Sequence, residues 1–125
     1  MTSPIEILVK VVDDAVVDLE FIVDQLNENP IFKVSGYSNP ESFKESMNKD
    51  VNLVITDVRI PSYNVYETVE YLRYHFPGIY IIVISAHFTE DILKRLIRCK
   101  VDDVVEKDSF NWVKHLRNEI GRAHV

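Results

Sequence analysis

The sequence predicts an α/β domain, a three-layer doubly wound fold with a five-stranded parallel sheet. Short β-branched runs alternate with segments of helical spacing, and strands that alternate with helices form parallel sheets. Two of the runs, Val51–Thr56 and Ile79–Ser85, are almost wholly apolar, as strands buried on both faces should be. The length of 125 residues suits a single domain, predicted over residues 1–125 with a core from about 5 to 120.

The predicted strands are rich in β-branched residues, which favour the pleated backbone. In chain order the five runs are Ile5–Val12, Phe32–Tyr37, Val51–Thr56, Ile79–Ser85 and Asp102–Val105. Lys10 interrupts the first run. Because a buried ammonium is costly, we expect the stem of Lys10 to pack and its head to reach solvent or a carboxylate.

The segments between the runs place apolar residues three and four apart, which is the spacing of one helix face. The helix after the first strand has Val16, Leu19, Ile22, Val23 and Leu26, the helix before the fourth strand has Val65, Val69 and Leu72, the next has Ile92, Leu93, Leu96 and Ile97, and the last has Phe110, Val113, Leu116 and Ile120. The segment Glu41–Asn48 predicts a shorter and weaker helix.

Helix starts carry capping residues. Asn39 precedes a proline, and Asn64 and Thr89 stand before the third and fourth helices. Either Asp108 or Ser109 can cap the last helix.

Composition excludes several classes of function. Asp and Glu total 20 against 14 Lys and Arg, so the net charge of −6 makes direct binding to nucleic acid a poor prospect. The 3 glycines are scattered, which argues against glycine-rich phosphate loops. Cys99 is the only cysteine, so no intrachain disulfide can form and a reducing cytoplasm is expected. The longest apolar run, Ile79–Ile84, is too short to span a membrane.

Polar residues follow the predicted strands where the carboxyl ends of a parallel sheet place ligands. They are Asp13 and Asp14 after the first strand, Asp57 after the third, Ser85 at the end of the fourth and Lys107 after the fifth. Three carboxylates and one ammonium sum to −2, which is costly in a crevice unless a cation compensates. Mg²⁺ prefers oxygen ligands and shares its shell with phosphate oxygens, so the pattern predicts a site for Mg²⁺ and a phosphoryl group.

In order and position these residues resemble the receiver domains of two-component response regulators. The resemblance runs from Ile5 to about Ile120 and includes Pro61, four residues after Asp57. It implies the CheY-like, flavodoxin-like fold with strand order 2-1-3-4-5.

The resemblance also implies a role for each residue. Asp57 would accept the phosphoryl group, while Lys107 and Ser85 bind its oxygens. Asp13, Asp14, Asp57 and the backbone carbonyl of Arg59 would hold Mg²⁺. The side chains of Arg59 and His87 would border the pocket and modulate dephosphorylation.

Each role has a plainer alternative. Asp14 could cap the helix that begins near Ala15, and Ser85 could bond only the backbone. Lys107 could be a surface lysine, and Arg59 and His87 could face solvent. The five residues Asp13, Asp14, Asp57, Ser85 and Lys107 taken together favour the site over these alternatives.

The partners implied are a sensor histidine kinase or a phosphotransfer protein, with no membrane and no direct nucleic acid. The domain would not be an ordinary enzyme, since it would catalyse only its own phosphorylation and dephosphorylation. A homodimer or an effector would use the face of the fourth helix, fifth strand and fifth helix. That face would carry Lys94, Arg95, Arg98, Lys100, Asp102 and Asp103.

The sequence departs from the family at several positions. Asp108 replaces the usual proline, so we expect a trans Lys107–Asp108 bond, because a cis bond to a non-proline residue costs about 3 kcal/mol. Val104 replaces the aromatic switch residue and cannot pack a ring inward. Val65 replaces a glycine and resists positive φ, which predicts a rerouted Arg59–Val65 loop.

These departures leave a second hypothesis open, a pseudo-receiver that acts as a phosphorylation-independent interaction module. An Asp-nucleophile phosphatase of the haloacid dehalogenase type needs a second acid two residues after the first. Arg59 occupies that position, which counts against such an enzyme.

Overall fold

The computed structural model describes residues 6–107 and 112–123, in which five strands alternate with five helices. The elements are β1 (Ile7–Val12), α1 (Val16–Asn27), β2 (Phe32–Tyr37), α2 (Pro40–Ser46), β3 (Leu53–Asp57), α3 (Val65–His75), β4 (Tyr80–Ser85), α4 (Glu90–Arg98), β5 (Asp103–Glu106) and α5 (Trp112–Ala123). The predicted alternation is confirmed, and strand boundaries differ from the prediction by at most two residues. Helix α2 ends at Ser46, before the predicted Asn48.

The five strands form one parallel sheet in the order β2-β1-β3-β4-β5, which confirms the predicted fold class and strand order. In the register, Asp57 pairs with Ile84, and Ser85 pairs with Glu106. The carboxyl ends of β3, β4 and β5 therefore lie side by side. Since β1 runs parallel to β3 on its other side, Asp13 reaches the same edge.

Helices cover both faces of the sheet, as the three-layer prediction requires. On one face the buried core includes Leu19 and Ile22 of α1 and Leu116 of α5. On the other it includes Phe43 of α2 and Leu72 of α3, together with apolar residues of α4. Within the described ranges, none of the helices combines the length and apolarity needed to cross a bilayer.

The predicted helix caps are present. The Oδ1 atom of Asn39 accepts from the backbone N–H of Glu41 at 2.8 Å, and Asn64 Oδ1 accepts from Glu67 at 3.1 Å. Thr89 Oγ1 accepts from the backbone N–H of Ile92 in α4 at 3.2 Å. Helix α1 instead begins after Ala15 without a side-chain cap, so the alternative of Asp14 as its cap is wrong. The predicted caps Asp108 and Ser109 and the Lys107–Asp108 bond lie outside the described residues.

Lys10 in the interior strand β1 finds a partner that the sequence did not suggest. Its Nζ donates to the Tyr37 hydroxyl at 2.9 Å and lies 5.3 Å from the ring centroid. Among the described residues the partner of the ammonium is therefore a phenol instead of the expected carboxylate, and Lys10 is only half-buried, in keeping with a packed stem and a head near solvent. Burial raises the pKa of Tyr37, but hydrogen bonds with Lys10, Ser46 and Ser35 outweigh it and hold that pKa below its usual value.

In the loop after β3, Val65 avoids positive φ, as its β-branched side chain predicts. Val65 is the first residue of α3, and the positive φ of the loop falls on Ser62, at 58°. A small polar residue tolerates the left-handed region better than a β-branched one. Asn64 can then take extended backbone and cap α3.

Arg73 ties three elements together at the amino end of the sheet. Its guanidinium donates to the carbonyl of Ile79 at 2.6 Å and to that of Lys100 at 2.9 Å and 2.6 Å. It also pairs with the Asp102 carboxylate, which accepts from the backbone N–H of Ile81 at 2.7 Å. One side chain thus joins α3 to the start of β4 and to the turn before β5.

We predict that Arg73→Ala lowers the free energy of unfolding by about 2 kcal/mol. The reason is that two backbone carbonyls and the Asp102 carboxylate lose their hydrogen-bond donor. Urea unfolding followed by circular dichroism measures the change. Arg98→Ala, at an exposed position of α4, is the matched control and should change stability by less than about 0.5 kcal/mol. Equal losses in the two variants would contradict this role for Arg73.

Candidate functional site

Asp57 ends β3 and lies just beneath the surface, with 7% of the residue exposed. Its Oδ1 atom accepts from the backbone N–H of Arg59 at 2.8 Å. The backbone N–H of Val58 donates to the carbonyl of Ile84 at 3.1 Å. Because the β3–β4 pairing holds Asp57 and the next two residues are bonded as well, the Asp57 side chain has a fixed position at the sheet edge.

Asp13 is fully buried one strand away. Its Oδ1 atom accepts from the backbone N–H of Ala15 at 3.0 Å, and its own N–H donates to the carbonyl of Tyr37 at 3.0 Å. These bonds fix the turn from β1 into α1. They leave Oδ2 of Asp13 directed to a different partner, the ammonium of Lys107.

Lys107 brings the carboxylates together. Its Nζ lies 2.7 Å from Asp13 Oδ2, 2.7 Å from Asp57 Oδ2 and 2.9 Å from Asp18 Oδ2. Its backbone N–H donates to the carbonyl of Ser85 at 2.8 Å, which places it directly after β5 beside β4. The alternative of Lys107 as a surface lysine is therefore wrong, since only 8% of its side chain is exposed.

In this cluster, burial and ion pairing shift the pKa values of the ionisable groups in opposite directions. Burial lowers the pKa of Lys107, but the hydrogen bonds that its ammonium donates to Asp13, Asp57 and Asp18 outweigh this effect and hold that pKa above its usual value. For Asp13, burial dominates and raises the pKa of the carboxyl, against the lowering effect of Lys107. The nearby charge of Asp57 raises the Asp13 pKa further. With the acids ionised, three carboxylates and one ammonium leave a local charge of −2.

Sequence reasoning did not identify Asp18. It lies in the first turn of α1, and 40% of its side chain is exposed. The local signal available was an acidic residue in the first turn of the helix that directly follows the site strand β1.

Thr56 and Tyr63 form a second contact that the sequence did not reveal. Thr56 Oγ1 lies 2.8 Å from the Tyr63 hydroxyl and donates to the backbone carbonyl of Asp57 at 3.0 Å. Burial raises the pKa of Tyr63, with a smaller contribution from the Asp57 charge. These bonds link the loop between β3 and α3 to the end of β3.

Two of the predicted site residues lie near the cluster without joining it. Asp14 is exposed, and in the described part of the chain its side chain has no hydrogen bond. Ser85 is fully buried, and its hydroxyl donates to the carbonyl of His87 at 2.9 Å and accepts from the His87 N–H at 3.3 Å. The plainer alternative for Ser85, a bond only to the backbone, describes this structure, and the backbone is that of His87.

The remaining predicted positions surround the site. Arg59 is exposed, as is the His87 side chain, at 69%. The Nδ1 atom of His87 lies 3.7 Å from Glu106 Oε1, which also accepts from the backbone N–H of Phe88 at 3.2 Å. Val104 is half-buried and packs against the core beneath α3 and α4.

Two residues of the predicted partner face, Arg95 and Asp102, also contact α3 while remaining exposed. The guanidinium of Arg95 stacks on the Tyr66 ring of α3 at 3.8 Å from the centroid. Asp102 is occupied by Arg73, also of α3. Both side chains therefore join α3 to its neighbours, whereas Lys94, in a 3.1 Å pair with Glu90, stays exposed on α4.

The donor chemistry of the cluster fits Mg²⁺. Across residues 6–107 and 112–123, no three His, Cys, Asp or Glu side chains are grouped to hold a metal ion. Mg²⁺ does not need such a cage, since it is usually bound by one or two carboxylates together with waters and phosphate oxygens. Asp13 and Asp57 provide that pair on either side of Lys107, and the local charge of −2 favours a cation.

The sequence matches the family model described as the response regulator receiver domain over residues 9–117. No curated protein sequence matches the chain significantly.

Solved structures share the fold at low sequence identity. The response regulator DrrB of Thermotoga maritima, described as an OmpR/PhoB homolog, superimposes with a TM-score of 0.84 at 20% identity over 94% of this chain and 52% of its own. The BeF3-activated DrrB receiver domain gives 0.83 at 20% identity, over 94% and 97%. A CheY-like receiver domain protein of Methanospirillum hungatei gives 0.83 at 18% identity, over 94% and 93%. The chain thus spans about half of full-length DrrB and nearly all of the isolated receiver domains.

We predict that Lys107→Met destabilises the domain by about 3 kcal/mol at about pH 8, because Asp13 keeps its charge without a partner. Without Lys107 the pKa of Asp13, which burial already raises, rises further. A carboxyl with a raised folded-state pKa costs stability above that pKa, and the cost disappears below its unfolded value of about 3.9. The deficit should therefore shrink as the pH falls towards about 5.

Urea unfolding of the wild type and the variant across this pH range measures the deficit. Lys114→Met, at an exposed position of α5, is the control and should show no such trend. A deficit that is constant with pH would contradict the charge-pairing explanation.

Proposed function

Because this chain belongs to the family of response regulator receiver domains, we propose that it is a phospho-accepting switch of a two-component system with Asp57 as the phosphoacceptor. The observation that carries the proposal is the Lys107 ammonium, 2.7 Å from both Asp57 Oδ2 and Asp13 Oδ2. A nucleophilic carboxylate that receives a phosphoryl group needs a fixed cation beside it. The buried contacts of Lys107 supply that cation at the place of reaction.

In the proposed reaction a carboxylate oxygen of Asp57 attacks the phosphorus of a phosphohistidine. A new P–O bond forms as the P–N bond breaks, and its electron pair stays on the imidazole nitrogen, which takes up a proton from solvent. The Arg59 N–H fixes the carboxylate during the attack, and Lys107 balances charge on the phosphoryl oxygens. Attack of water on phosphorus later breaks the P–O bond, releasing inorganic phosphate and restoring the Asp57 carboxylate.

Asp13, Asp14, Asp57 and the backbone carbonyl of Arg59 would hold Mg²⁺. When bound, Mg²⁺ supplies positive charge that stabilises the transferring phosphoryl group. Asp14 is exposed and would approach the ion from the solvent side. Asp13 is buried and would be a ligand whose position is fixed within the fold.

The domain would act as a signalling component and not as an ordinary enzyme, since the only reactions proposed are at its own Asp57. The proposed phosphoryl donor is a sensor histidine kinase or a phosphotransfer protein in the cytoplasm. The exposed part of the face formed by α4, β5 and α5 is proposed to contact an effector or a second copy. No direct contact with nucleic acid is proposed, because the net charge is −6.

One observation favours a second candidate, the pseudo-receiver. The Ser85 hydroxyl is bonded to the His87 backbone, and Val104 offers no ring to couple Ser85 to the surface. In that case the fold would present a constant interaction surface, and the Lys107 cluster would serve only stability.

We predict that incubation with Mg²⁺ and acetyl phosphate adds one phosphoryl group to the protein, detected by intact mass spectrometry. Asp57→Asn should abolish the modification, because an amide is not a nucleophile of this kind. Removing Mg²⁺ with a chelator should abolish it too. An unmodified wild type, also after incubation with a competent histidine kinase, would overturn the proposal in favour of the pseudo-receiver.

We predict that Arg59→Ala or His87→Ala changes the lifetime of the phosphorylated form severalfold. The backbone N–H that fixes Asp57 survives at position 59, so Arg59→Ala tests the guanidinium alone. Dephosphorylation is followed by release of inorganic phosphate after the donor is removed. Arg98→Ala, remote on α4, is the control, and unchanged lifetimes in both test variants would show that these side chains only face solvent.

A further inference from the structure

The ammonium of Lys107 is held from three directions. A lysine ammonium carries three N–H groups, and three carboxylates accept from that of Lys107. The oxygens of Asp13 and Asp57 lie 2.7 Å from Nζ, and that of Asp18 lies 2.9 Å from it. Because the side chain of lysine is a long flexible stem, two of these bonds are needed to fix the direction in which the third N–H points.

Two of the three acceptors would change in the proposed reaction. Phosphoryl transfer converts the Asp57 carboxylate into an acyl phosphate, and a phosphoryl oxygen can then accept the N–H that Asp57 Oδ2 accepts in this structure. Asp13 is one of the residues that would hold Mg²⁺, so a metal ion would draw on the same negative charge that faces Lys107.

Asp18 is the acceptor that the proposed reaction leaves unchanged. In the part of the chain that the structure describes, the bond to Lys107 is the only hydrogen bond of its carboxylate. Asp18 lies in the first turn of α1, where the helix dipole stabilises a negative charge. The next residue, Leu19, and Ile22 pack α1 into the core, so the helix that carries this carboxylate has a fixed place beside the site.

We propose that Asp18 is a positioning residue that keeps its bond to Lys107 throughout the reaction. It thereby directs an N–H of the ammonium towards Asp57, first to the carboxylate and then to the phosphoryl group. The inference rests on the proposed function and adds no covalent step, since Lys107 keeps its proton and Asp18 its charge. The negative charge of Asp18 also repels an anionic donor, so the hydrogen bond and the charge act on the reaction in opposite directions.

Two variants separate the hydrogen bond from the charge. Asp18→Asn removes the charge but retains a side-chain oxygen that can accept from Lys107, whereas Asp18→Ala removes both. The difference between these two variants therefore measures the bond alone. Asp24→Asn and Asp24→Ala, at an exposed position of the same helix, are matched controls for the difference in helix propensity between the two replacements.

The first measurement is the rate at which acetyl phosphate with Mg²⁺ modifies the protein, followed by intact mass spectrometry. We expect Asp18→Ala to react about two- to fivefold more slowly than Asp18→Asn, which is the range for a partly exposed bond to a charged group. The two Asp24 variants should react at equal rates.

The second measurement follows Lys107 itself. NMR of isotope-labelled protein gives the rate at which the ammonium protons exchange with water, which is slow while hydrogen bonds protect them. In the wild type and in Asp18→Asn this exchange should stay slow with and without beryllofluoride, a mimic of the phosphoryl group, in the presence of Mg²⁺. In Asp18→Ala it should be about two- to fivefold faster in both states, because one N–H has lost its acceptor.

The outcomes distinguish this inference from the proposed function. The inference is overturned, and the phosphoacceptor role of Asp57 stands, if Asp18→Ala reacts as fast as Asp18→Asn or faster. It is also overturned if the ammonium of Asp18→Ala exchanges as slowly as that of the wild type, or if beryllofluoride speeds exchange in the wild type. A wild type that is modified by neither acetyl phosphate nor a competent histidine kinase would overturn the proposed function and this inference with it. Urea unfolding of each variant verifies that the rates are compared on folded protein.

Discussion

The ion pairs around Lys107 Nζ are the interaction on which the geometry of the site depends. They join residues that are 94, 89 and 50 positions apart in the sequence, namely Asp13, Asp18 and Asp57. Together these contacts require that the carboxyl ends of β1, β3 and β5 meet at one edge of the sheet. The site is therefore a product of the completed topology, and the cost of gathering like charges is met by the apolar cores on both faces.

The same arrangement bears on the proposed phosphoryl group at this edge of the sheet. One ammonium does not neutralise three carboxylates, so the cluster favours the binding of a cation. An anionic phosphoryl group would bind there only together with that cation. The lack of a glycine-rich loop is consistent with this order, because backbone N–H groups make little contribution here. The N–H of Arg59, bonded to Asp57, holds the carboxylate in place.

The sequence predicted those features that depend on residues close together in the chain. Strands, helix starts and the residues at strand ends follow from short patterns, and Asn39, Asn64 and Thr89 cap their helices as predicted. Side-chain partners across the fold are not local. Lys10 bonds a phenol on the neighbouring strand, and Arg95 stacks on α3, because packing decides among several acceptors or surfaces of similar energy. Of the candidate site, the sequence predicted Asp13, Asp57 and Lys107 as neighbours but missed Asp18.

The contacts of Arg73 secure one end of α4 but not the other. The guanidinium fixes the carbonyl of Lys100, directly beyond the carboxyl end of α4, to α3 and to the start of β4. The opposite end of α4 follows the loop that carries Ser85 and His87 beside the site. Because Arg73 holds the chain at the carboxyl end of α4, a displacement of the loop beside Ser85 would tilt the helix about that end and would move Glu90 further than Arg98.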